Sequence, residues 1–193
     1  CGSSFGYAPC CSGLSCYCSS ATYCYCASPQ QPFVQQGQTQ LQSNICDNLI
    51  RGKDEYPAFD PVNNHFGCYI INQLKNNCYN YSTNVLTNTF AQPGRATYKL
   101  FQNLTCENIR QSSESDGLKF IGTAYPKNKP ASGHYVSLVI WPNHDFHWLR
   151  LDKNGMWSHK PGQTPIKNTD NAGSAISNPQ TMNLLPYTIF CGY

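Results

Sequence analysis

The sequence predicts an α+β domain behind a small disulfide-rich module, and three observations predict it. Of the 12 cysteines, seven crowd into the first 26 residues and five are spread over the remainder. Asn77 is a helix-start signal, an N-cap type directly before Cys78-Tyr79-Asn80-Tyr81. From Tyr135 onward, β-branched and aromatic runs alternate with turn residues, the pattern of an antiparallel meander.

Residues 1–26 hold Cys1, Cys10, Cys11, Cys16, Cys18, Cys24 and Cys26, with Leu14 as the only Leu, Ile or Val. Such a segment has almost no aliphatic core, so covalent loops must replace hydrophobic burial. Residues 27–44 form a Gln-rich linker without charge or periodicity. Residues 45–193 carry the α+β domain. A short helix is expected within 45–51, and 69–74 reads equally as strand or helix. A helix opens at Asn77 and closes before the Gln92-Pro93-Gly94 turn. Strands follow over 135–141 and 146–151. The Asn154-Gly155 hairpin turn leads into a third strand from Met156. The 162–186 stretch, rich in Asn, Pro and Gly, wraps the surface. Leu184 to Phe190 returns as a final strand beside Cys191.

Composition excludes several classes. Charged residues are 12% of the chain, against a usual ~25%. Asn, Gln, Ser and Thr supply 61 of the 193 residues, so solubility rests on neutral polar groups. No apolar run approaches the ~20 residues of a membrane span. A net charge of +3 with scattered Lys and Arg does not make a nucleic-acid surface. A cysteine cluster of this density points to an oxidising, secreted setting, and the missing leader reads as a mature chain. No His falls within the first 60 residues and no CxxC pair repeats, which argues against zinc. Asp145 and Asp152 are too isolated for a metal, and His144-x-x-His147 has the wrong spacing for one strand face. Neither a metal nor a cofactor is expected. Asn80-Tyr81-Ser82 and Asn103-Leu104-Thr105 are glycosylation sequons.

One constellation has the ingredients of nucleophilic catalysis. Cys78 starts a helix, where the backbone dipole favours thiolate. His134 and His147 each begin a strand and supply candidate imidazoles to move the proton and orient the base. A flat hairpin pairing Trp141 with Phe146 would set His134 opposite Lys153 with Asp152 adjacent, so Asp152 is a reserve third member. Cys78 is equally half of a disulfide, since 12 cysteines divide evenly. Ser158-His159-Lys160-Pro161-Gly162 reads as a solvated turn.

At Asn77-Cys78-Tyr79-Asn80-Tyr81, Gly133-His134-Tyr135-Val136 and Asp145-Phe146-His147-Trp148 the chain resembles the papain-like fold in its NlpC/P60 or CHAP form, over about residues 65–160. The resemblance implies Cys78 as nucleophile, His134 as general base and acid, and His147 as the orienting residue. The usual Asp-Cys-Ser-Gly is replaced by Asn-Cys-Tyr-Asn. Cys10-Cys11-x4-Cys16-x-Cys18-x5-Cys24-x-Cys26 resembles a spider-toxin-type inhibitor cystine knot, which implies a β-hairpin between Cys16 and Cys26. Three functions follow as expectations. The first is a secreted cysteine amidase or peptidase acting on peptide or peptidoglycan amides. The second is an inactive extracellular structural or adhesive glycoprotein that self-assembles through its Cys-rich module and linker. The third is a toxin-like or carbohydrate-binding protein.

Overall fold

The computed structural model describes residues 15–20, 23–27, 45–48, 50–52 and 57–193. The chain divides into two units, Cys1–Leu41 and Gln42–Tyr193. In the first, β1 (Ser15–Ser20) and β2 (Tyr23–Ala27) pair antiparallel, with Cys16 opposite Cys26 and Cys18 opposite Cys24. The disulfides of the expected knot-like module and residues 28–44 of the expected linker fall outside the described residues.

The second unit is α+β. Its centre is a four-stranded antiparallel sheet in the order β7-β6-β5-β8. The strands are β5 (Val136–Trp141), β6 (Asp145–Leu151), β7 (Trp157–His159) and β8 (Ile189–Gly192). Before it, among the described residues, come the helical pair Ile45 and Cys46 within the expected short helix, a two-residue ladder of β3 (Ile50–Arg51) with β4 (Val85–Leu86), and three further helices. These are α1 (Cys68–Ile71), α2 (Cys78–Ser82) and α3 (Cys106–Ser115), with a 3-10 turn over Gln73–Lys75. Residues 50–51, expected in a helix, are therefore strand, and the helix from Asn77 stops at Ser82 rather than running on toward the turn at 92–94.

Strand side chains alternate between faces, and here both faces are covered. Leu138, Ile140, Phe146 and Trp148 pack with Cys78, Tyr79 and Ile109 from the helices. Val139, Leu149 and Leu151 pack with Trp157, Ile176, Leu184 and Tyr193 from the C-terminal stretch. The tail thus closes the second half of the core, and it does more than wrap a surface.

The hairpin between β5 and β6 turns through three residues. Asn143 adopts φ 61°, and Trp141 pairs with Asp145. A three-residue loop with a left-handed member is a favoured hairpin connection. It moves the register by one from the flat expectation: His147 faces Val139 instead of Ile140.

Helix α3 is secured at both ends. Thr105 caps its start, accepting from the Asn108 N–H at 3.2 Å. At its end Leu118 N–H reaches Ser113 O and Gly117 N–H reaches Glu114 O, a Schellman closure with Gly117 at φ 101°. Two disulfides tie this unit, Cys46–Cys68 and Cys106–Cys191, the second joining α3 to β8.

Candidate functional site

Helix α2 is only five residues long, and its start is held by a complete capping box. The Asn77 side chain accepts from Tyr79 N–H and Asn80 N–H, each at 3.1 Å, and Asn80 Oδ1 accepts in return from Asn77 N–H. Cys78 is the first residue after the cap and is a free thiol. It is also buried, 6% exposed, among Ile109, Leu138 and Trp148. Burial pushes the thiol up to about 12, a hydrogen bond to the Trp148 backbone pulling weakly the other way. The helix start favours a thiolate in principle, but desolvation outweighs it here and raises the Cys78 thiol.

The three residues expected to act together do not meet. His134 Nε2–H donates to the Ser82 carbonyl at 2.6 Å, at the far end of α2 from Cys78. His147 alternates with Trp148, so its ring lies on the sheet face opposite Cys78. There it is 3% exposed and packed against His159 and Tyr187. His147 cannot orient His134 from that face. The reserve residue, Asp152, is better placed: the Leu151 N–H to Tyr135 O bond extends the ladder and brings His134 opposite Asp152. Its carboxylate, however, accepts from Arg150 Nε at 2.9 Å. Burial raises the Asp152 carboxyl despite the guanidinium beside it.

Of the two expected glycosylation sites, Asn80 lies inside the fold. It is fully buried; its amide donates to Val85 O and Thr87 Oγ1 and accepts from Asn77 and Ala91 N–H. The folded chain has no room for a glycan there. Asn103 is exposed.

Buried polar groups dominate what the sequence concealed. Arg150, completely buried, donates to Asp152, Asn84 Oδ1 and Ala58 O, and its guanidinium lies 3.8 Å from the Tyr81 ring centre. Tyr81 OH meets Ser158 Oγ at 2.7 Å. Of the expected solvated turn at 158–162, Ser158, His159 and Lys160 are instead buried. Lys160, also fully buried, donates to the carbonyls of Gln73, Asn76 and Gly162, and burial lowers its amine to about 8. The one signal in the sequence was the run Trp157-Ser158-His159-Lys160 continuing a strand.

A cleft of about 1020 Å³ lies elsewhere, between the 83–97 segment, α3 and the start of β5. His134 lines it and Cys78 does not. Among the described residues, no three His, Cys, Asp or Glu side chains gather to hold a metal, and no helix is long and apolar enough to cross a membrane.

No known family model matches the chain, and no solved structure matches it. A curated protein does. "Insoluble matrix shell protein 1" of Ruditapes philippinarum is 42% identical over 121 residues, which is 63% of this chain and 79% of that protein. The chain belongs to the family of that shell protein. A stretch of 121 aligned residues is longer than the first unit, Cys1–Leu41, so the likeness includes much of the second unit described above.

Proposed function

We propose that this chain is an extracellular structural protein that self-associates into an insoluble matrix. The observation that carries the reading is its 42% identity to an insoluble matrix shell protein that it covers over 79% of its length. Extracellular deposition is supported by the Cys46–Cys68 and Cys106–Cys191 disulfides, which persist in oxidising surroundings. The neutral polar composition, with 12% charged residues, supports close association because few like charges repel.

The site geometry supports the same reading over a hydrolase. A papain-like hydrolase needs a thiolate and an imidazole in hydrogen-bond reach. Cys78 is buried, which raises its thiol and disfavours the thiolate, and His134 is anchored on the Ser82 carbonyl. We read the second unit as a papain-like layout retained as a scaffold, a helix opening on cysteine against an antiparallel meander. The first unit we read as a knot-like module, in keeping with its Cys16–Cys26 hairpin.

The test is sequential extraction of the source tissue, followed with an antibody to residues 57–193. The protein is expected in the extracellular fraction that resists salt and detergent and is released by denaturant with reductant. Hydrolysis of peptide or peptidoglycan fragments by the purified chain, abolished by Cys78→Ala, would overturn the proposal.

A further inference from the structure

We infer that the cleft between the 83–97 segment and α3 is a binding site for a linear anionic polysaccharide. The site is independent of whether the chain assembles with itself.

Its charge sets the sign of the ligand. Arg51, Arg95, Arg110 and Lys119 line it, against Glu114 and Asp116, and Arg110 is paired with Glu107 at 3.2 Å, which leaves Arg51, Arg95 and Lys119 as the cations that face a ligand. Asp116 is already satisfied from within: its oxygens accept from Tyr79 OH at 2.8 Å, Gly94 N–H at 2.7 Å and Thr97 Oγ1 at 3.2 Å. Arg95 spends only Nη1 on the Thr89 and Phe90 carbonyls, leaving the rest of its fork for a carboxylate or sulfate. The cleft therefore carries an excess of positive charge with directional donors.

Its neutral groups set the class. Thr87 and Thr89 hydroxyls lie 2.9 Å apart in the wall, and hydroxyls both donate and accept, as sugar hydroxyls do. Phe120 lies in the wall 39% exposed, one ring face under Arg110 at 4.6 Å. Tyr98 directly follows the lining residue Thr97 and is 98% exposed. Flat aromatic faces of this kind accept the C–H faces of sugar rings. A volume of about 1020 Å³ stands at the upper end of ligand pockets, roughly 300–1,000 Å³, room for more than one sugar ring.

Uncommon backbone flanks the wall. Asn84, Asn88, Phe90 and Tyr98, each next in sequence to a lining residue, have φ between 52° and 59°. The turn presenting Tyr98 closes by Lys99 N–H to Gly94 O at 2.8 Å, with Gly94 at φ 76°, where a Cβ would come within 2.0 Å of Lys99 O. Side chains at such positions are strained, and a fully exposed tyrosine recovers none of that strain by packing.

The full disulfide-bonded chain is titrated with chondroitin sulfate and alginate, which separate sulfate from carboxylate, with dextran as the neutral chain and polyglutamate as the acidic peptide. Binding to at least one of the first two is expected, weakening as salt rises. Arg51→Gln with Arg95→Gln is expected to weaken it at least about tenfold. Tyr98→Gly separates fold from binding: it relieves the left-handed backbone, so thermal stability holds or rises while binding falls severalfold. Equal binding of dextran, preference for polyglutamate, no binding at all, or variants that bind like the parent would each overturn the assignment.

Discussion

His147 donates its Nε2 proton to Nδ1 of His159, 2.8 Å away inside the sheet's C-terminal face. The direction follows from one carbonyl. His159 Nε2 lies 3.0 Å from Thr169 O, which only accepts, so that nitrogen carries the proton and Nδ1 is a lone pair. Two neutral rings are thereby fixed in tautomer and joined to the tail.

The pair makes stability depend on acidity. Burial lowers His159 to about 4 and His147 well below its ordinary 6.5, with the neighbouring ring adding to the latter. Below pH 6.5 the unfolded chain takes up protons that the native rings refuse. Their contribution is complete above pH 6.5 and drains away as pH falls toward 4, on the order of 3 kcal/mol for His159. Urea midpoints at pH 7, 6 and 5 are expected to fall steadily, and a His147→Phe, His159→Leu double variant is expected to lose most of that slope.

Cys78 is expected to resist alkylation. A buried thiol held near 12 exposes almost no thiolate at pH 8. Iodoacetamide should leave it unlabelled over hours in the native protein and modify it promptly in urea, read by peptide mapping. Cys78→Ser should destabilise by about 1–3 kcal/mol, because it places a hydroxyl among Ile109, Leu138 and Trp148.

The two sequons are expected to behave oppositely. Produced through a secretory host, the protein should carry glycan at Asn103 and none at Asn80, by mass mapping. Asn80→Ala removes hydrogen bonds to Val85, Thr87, Asn77 and Ala91, and at roughly 1 kcal/mol each should lower stability by about 3 kcal/mol or more.

The disulfides should differ in weight by loop length. Cys106–Cys191 spans 85 residues and Cys46–Cys68 spans 22. Chain entropy assigns them about 4.5 and about 3 kcal/mol. Paired Cys→Ala variants are expected to lower the urea midpoint in that order, more for Cys106 and Cys191.

Much of the sheet was legible. Val136 to Trp141 and Phe146 to Leu151 are dense in β-branched and aromatic residues, and Asn154-Gly155 marks the next turn. The Asn77 cap was legible as well, since an N-cap works within one helical turn. Helix α3 was not: Cys106–Ser115 holds a single aliphatic residue, Ile109, and depends on its two closures and on packing that one side chain. The burial of Lys160 was hidden because its three acceptors are backbone carbonyls, two of them more than 80 residues away in sequence.

The sequence by itself determined the class, an α+β chain with a Cys-dense start, because propensity, capping and loop closure by cysteine act locally. The tertiary structure alone decided the chemistry. A one-residue hairpin register set His134 opposite Asp152, and strand alternation put His147 on the face away from Cys78. Burial then held the Cys78 proton. Order and spacing along a chain do not specify which face a side chain occupies or how much water it keeps.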